Sequence, residues 1–145
     1  RLLSNGALDA SFSGDGKLVV PIGQGRDIAT EILVRSNGKL VVVGTSDRAG
    51  NDRDWSALQL LPDGTVDPSF GNGGATFVLF DLGQDLQDLA NAALLRPGDQ
   101  LLIVGAVQRS SPDDWDFGIA QLLGDEIFAD GFESGNLSAW TSVVP

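Results

Sequence analysis

The chain has 145 residues and 42% apolar content, enough for one ordinary domain with a buried core; its net charge of -11 repels nucleic acid and anionic membranes. Cysteine, histidine, methionine and tyrosine do not occur, which excludes disulfides, thiolate and imidazole metal sites, and imidazole general bases. Nineteen glycines and six prolines separate short apolar runs, so an all-β fold with many turns is expected. No stretch approaches the roughly 20 apolar residues that span a bilayer, and no charged start leads into an apolar signal core. Because the chain starts at Arg1 and not at Met, removal of an upstream region is expected.

In chain order, the first candidate elements are Arg1 to Leu3 and a strand near Lys17 to Ile22, flanking "LSNGALDASFSGDG" at residues 3 to 16. Strand candidates rich in Val, Ile, Leu and aromatics then follow at Ile28 to Arg35, Lys39 to Thr45, Trp55 to Leu61 and Ala75 to Phe80. The first two are joined across Ser36, Asn37 and Gly38, where Asn and Gly tolerate a hairpin's positive φ. Between the last two lies "LPDGTVDPSFGNGG", residues 61 to 74. Three more candidates fall near residues 88 to 95, 100 to 107 and 115 to 123.

Much of this is repeated, at a period near 60. Leu8 and Asp9 match Val66 and Asp67, while Ser11, Phe12 and Gly16 match Ser69, Phe70 and Gly74. "GKLVVVG" from residue 38 corresponds to "GDQLLIVG" from 98, and "DWSALQLL" from 54 to "DFGIAQLL" from 116. Each period supplies four strands in a meander, the unit of a β-propeller or of a stack of sheets. The expected fold is all-β: tandem four-stranded antiparallel meanders, blade-like repeats that are incomplete as a single chain. The third unit lacks a fourth strand, and the N-terminal segment carries a fourth strand without its unit. Unpaired edges invite pairing, so one chain could complete the next, head to tail, as a ring or a filament. The same pattern also suits one piece of a longer array.

The "DWSALQLLPDGTVDPSFGNGG" string and the preceding "NGKLVVVG" resemble the Delta-60 repeat proteins of bacteria, over roughly residues 1 to 123. The resemblance implies an extracellular or surface-associated β-repeat protein and brings no catalytic residues. The expected organisation is therefore residues 1 to 124 as about two repeat copies and 125 to 145 as a tail. "IFADGFESGNLSAWTSVVP" resembles C-terminal segments of secreted bacterial proteins with a "DGFESG...W" string, which implies a docked strand or an export-related segment.

Chemistry is limited to carboxylates, Lys, Arg, Ser and Thr. Asp47, Asp52 and Asp54 precede one strand, and Asp113, Asp114 and Asp116 stand in the matching place of the next copy. Clustered carboxylates are what Ca2+ requires, yet the spacing is not that of an EF-hand, and turn capping explains these residues as simply. Asn5 standing where the second copy has Asp63 argues for a shared hydrogen-bonding role over a shared charge. No carboxylate pair lies in a distinctive hydrolase motif, and "GNGG" lacks both the Walker lysine and a following helix.

Repeat-equivalent aromatics, Trp55 with Phe117 and Phe12 with Phe70, are expected to pack between neighbouring units. Trp115 and Trp140 have no such twin and are candidates for contact with a partner or a sugar. Leu18 and Val20 are expected to enter a neighbour's core. The resulting expectation is a non-enzymatic, extracellular structural or adhesive protein that self-associates by strand complementation into a homo-oligomer or polymer, with no nucleic-acid partner and no membrane span. The alternative is a carbohydrate-binding propeller fragment, with or without Ca2+.

Overall fold

A computed structural model describes residues 1 to 48, 52 to 80, 82, 87 to 110 and 113 to 123. The expected tail, Trp140 included, lies outside the described residues. Within them the chain forms seven strands and no helix: β1 (Asp27–Val34), β2 (Leu40–Asp47), β3 (Arg53–Leu60), β4 (Ala75–Val78), β5 (Asp88–Arg96), β6 (Gln100–Gln108) and β7 (Trp115–Leu122). They make one four-stranded sheet in the order β1-β2-β3-β4 and one three-stranded sheet in the order β5-β6-β7. Every pairing is antiparallel. The expected all-β meanders are therefore present, one complete and one with three strands.

The two sheets repeat each other in detail. A bulge interrupts β1 between Ala29 and Glu31, and its counterpart interrupts β5 between Ala90 and Ala92. Successive side chains of a strand point to opposite faces, and that alternation builds the core. Val41 and Val43 of β2, with Trp55 and Ala57 of β3, turn inward against Leu101, Ile103 and Val107 of β6 and Ala90 of β5. All eight are almost completely buried. A second cluster lies on the opposite face of the first sheet, where Phe12, Leu58 and Leu60 are buried under Leu18, Val20 and Ile22.

The segment from Lys17 to Ile22 departs from expectation: it is not a strand. Among the described residues no strand edge pairs with it. Side-chain packing still orders them, with Leu18, Val20 and Ile22 turned onto the second cluster and Val19 between them 92% exposed. Arg1 to Leu3 likewise contributes only an isolated bridge, Leu2 to Leu8, the counterpart of the bridge Leu60 to Val66.

Candidate functional site: the contact between units and the two end faces

Trp55 is the centre of the contact between the sheets. Its indole meets Phe80 edge to face, 4.8 Å between centroids at 69°, and covers Gly105 of β6 and Gly118 of β7. A Cβ on either glycine would come within 2.8 Å of the ring. Glycine is needed here because a flat aromatic lies directly on strand backbone. Around it, the Ala90 amide donates to Thr45 Oγ1 across 3.0 Å.

At one margin the hairpin tips dock. The Arg35 guanidinium donates to the Asp99 carbonyl at 2.5 Å, and the Ser36 hydroxyl donates to the Asp99 carboxylate at 2.5 Å. Asp99 has φ of 58°, in the turn position where the first hairpin has Gly38 at 81°; Asp is among the few residues that tolerate this region. The Ser36 hydroxyl, then its amide, hold the Asp99 carboxyl below the usual carboxylate range.

The outer faces of the two sheets are the two halves of that same contact, separated. On the first sheet, Leu40, Val42, Gly44 and Ser46 occupy the positions that Leu101, Ile103, Gly105 and Val107 hold on the second. Val42, Gly44 and Ser46 border a cleft of about 520 Å³, lined among others by Phe12, Val20, Ile28, Ala29 and Leu58. Its polar floor is self-satisfied, since Ser46 and Ser56 hydroxyls bond each other at 2.8 Å. Ile28 and Ile32 of its lining are exposed, as is Val34 further along β1.

On the far side of the second sheet, Phe117 occupies the position of Trp55 and is 99% exposed, where Trp55 is fully buried. Ile119, Val104 and Leu94 are exposed beside it, in the places of Ala57, Val43 and Leu33. Phe117, expected to pack between units, meets no neighbouring unit among the described residues. Exposed apolar groups gathered on one face mark an interaction surface more strongly than scattered ones.

Five of the six acidic candidates are spread over arginine clamps. Asp47 accepts from Arg53 at 2.8 Å and pairs with Arg26 at 3.7 Å; chiefly the Arg53 hydrogen bond, then the Arg26 amide, hold its carboxyl low. Arg48 bridges Asp54 at 3.3 Å and Asp52 at 3.8 Å. In the next copy Arg109 does the same for Asp116 at 3.1 Å and Asp114 at 3.7 Å, while Asp113 is exposed. Among the described residues no three of His, Cys, Asp and Glu come together as a metal-holding group. What recurs is a clamp closing the β2–β3 and β6–β7 hairpins.

Leu18 and Val20, expected in a neighbour's core, pack on this chain's own cluster, because their alternation faces Phe12, Leu58 and Leu60. Trp115 is 38% exposed and lies on the same face as Phe117.

The repeated loop strings are connectors with matching hydrogen bonds. The Asn5 side-chain oxygen accepts from the Ala7 amide at 3.0 Å, as Asp63 accepts from the Thr65 amide at 2.9 Å. Asp9 and Asp67 each accept from the amide and hydroxyl two residues on, Ser11 and Ser69. Gly16 and Gly74 amides donate to the Phe12 and Phe70 carbonyls, both at 2.8 Å. The first string then stacks on the second: Phe12 lies where a Cβ on Gly64 would be, at 2.8 Å, and the Ser13 amide donates to the Asp63 carbonyl at 2.8 Å.

One equivalence escaped sequence comparison because the residues differ in type. Arg1 holds Asp9 at 2.7 Å as Gln59 holds Asp67 at 2.9 Å, and its amino group reaches the Gly16 carbonyl as the Gln59 amide reaches Gly74.

Stacked, open meanders joined by such connectors define a β-propeller-like repeat protein. Residues 35 to 70 match the sequence profile of a family described as a domain of unknown function (DUF5122) beta-propeller. No curated protein and no solved structure matches the chain. No helix among the described residues is long and apolar enough to cross a membrane.

Proposed function

We propose that this is a non-enzymatic structural or adhesive repeat protein that works outside a bacterial cell, its copies joining end to end by strand complementation. The observation that carries the reading is the relation between the end faces: one is the counterpart of the Trp55-bearing side of the internal contact, the other of the glycine-bearing side. A surface whose two halves differ and complement each other generates heterologous assembly, a filament or, if the rotation closes, a ring. The extracellular setting follows the Delta-60 resemblance.

The cleft favours this reading over carbohydrate. Its hydroxyls are bonded to each other and its remaining walls are largely apolar, a setting for a hydrophobic side chain and a poor one for a polyhydroxylated sugar. Sedimentation velocity across a wide concentration range, with negative-stain images of the same samples, tests the proposal. Concentration-dependent linear or circular assemblies are expected; a folded monomer at every concentration overturns it.

A further inference from the structure

The geometry points to a specific contact within that end-to-end reading, on which it rests: Phe117 of one copy seats in the cleft of a second, and Phe117 to Ala120 pair antiparallel with Lys17 to Val20 of that copy. The internal contact is the template. Trp55 covers Gly105 and Gly118, whereas Gly44, with the same close approach to a carbonyl on the adjacent strand (Ile28 in place of Leu89), has no aromatic over it. Phe117 has the aromatic and, at 99% exposed, nothing among the described residues beneath it.

Sizes also correspond. The internal pair sets a large indole on Gly118; the end faces offer the smaller phenyl of Phe117 and, in the place of Gly118, the larger Ser56. The exchange preserves the filled volume, which close packing requires.

The strand register follows from β3 and β4, where Trp55 pairs with Val78, Ser56 with Phe77, Ala57 with Thr76 and Leu58 with Ala75. Lys17 to Val20 follow Gly16 as Ala75 to Val78 follow Gly74, after connectors with the same hydrogen bonds. Transferred to the end faces, Phe117 meets Val20, Gly118 meets Val19, Ile119 meets Leu18 and Ala120 meets Lys17. Leu18 and Val20 keep their present packing on Phe12 and Leu58, and the backbone edge of the segment is used, its first amide, that of Lys17, being held by the Asp15 carboxylate at 2.9 Å. Those four pairs equal the whole β3–β4 ladder. Beyond Ala120 the incoming strand turns aside, because Arg1 to Leu3 of the receiving copy already fill the positions of Gln59 to Leu61.

Two substitutions at exposed positions test the contact without touching the core. Phe117→Asp places a charge on the inserting residue. Ala29→Glu places one in the cleft, at the counterpart of Ala90, which is 1% exposed inside the internal contact. Circular dichroism of each variant verifies the fold. In sedimentation experiments each should raise the dissociation constant of self-association by about tenfold or more, and an equimolar mixture should form a heterodimer and stop there. In that heterodimer the Phe117 of the Ala29→Glu chain enters the unaltered cleft of the other. Hydrogen exchange should show protection of residues 17 to 20 in the wild-type assembly.

If the wild type assembles and both variants assemble equally well, this contact is overturned while end-to-end assembly stands through another surface. If the variants are impaired but the mixture forms no heterodimer, the pairing of these two faces is overturned. A wild type that stays monomeric overturns both the contact and the reading beneath it.

Discussion

Asp67 shows how one residue of the repeated connector ties the turn to the sheet. It is 4% exposed, accepts from Lys39 at 2.8 Å and from Gln59 at 2.9 Å, and also takes the Ser69 hydroxyl at 2.7 Å. The Lys39 hydrogen bond, then that of Ser69, hold its carboxyl far below the usual range. Asp9 is held at about 2 by Ser11 first and Arg1 second. A carboxyl depressed by folding stabilises above its unfolded pKa of about 4 and loses that contribution as pH falls through the folded value. Denaturant midpoints should therefore be level above about pH 5 and fall progressively below about pH 4. Asp67→Asn should lower stability by about 1.5 to 3 kcal/mol at pH 7, the worth of hydrogen bonds to a charged group. The gap to wild type should narrow towards pH 2; an unchanged acid limb in the variant would exclude this role.

At the scale of elements, much was legible because the signals were local. Short apolar runs between Gly, Asn and Pro located all seven strands to within a residue or two, since alternation and turn chemistry are properties of neighbouring residues. The Asx turns were legible from the repeat itself: Asn5 for Asp63 pointed to an accepted amide, and both make that bond. Two features were not legible. Lys17 to Ile22 has the composition of a strand, but a strand also requires a partner edge, and that lies in another segment. Phe117 has the sequence context of buried Trp55, and its exposure depends on what stands opposite it. The connector yields its own prediction. Since Asn5 serves as Asp63 does, Asp63→Asn should leave thermal stability nearly unchanged, while Asp63→Ala should lower it by about 0.5 to 1.5 kcal/mol through loss of the Thr65 amide and hydroxyl bonds. Equal effects of the two substitutions would show that charge, and not the hydrogen bond, matters at this turn.

For the whole molecule, shape and charge pull in opposite directions. The end faces concentrate Ile32 and Val34 on one side and Phe117, Ile119 and Leu94 on the other, so apolar burial drives copies together. A net charge of -11 on every copy pushes them apart. Burying one phenyl ring stabilises by about 1.5 to 3 kcal/mol, an amount that repulsion between two such charges can offset at low ionic strength. Added salt screens the repulsion, with a Debye length of about 10 Å at 0.1 M and about 3 Å at 1 M, and leaves the apolar contact intact. Self-association followed by sedimentation should accordingly strengthen as NaCl rises from about 0.02 M to about 0.5 M. Assembly that dissolves over the same range would mean that ion pairs between copies dominate, and would move the contact away from the two apolar ends to the acidic flanks of the sheets.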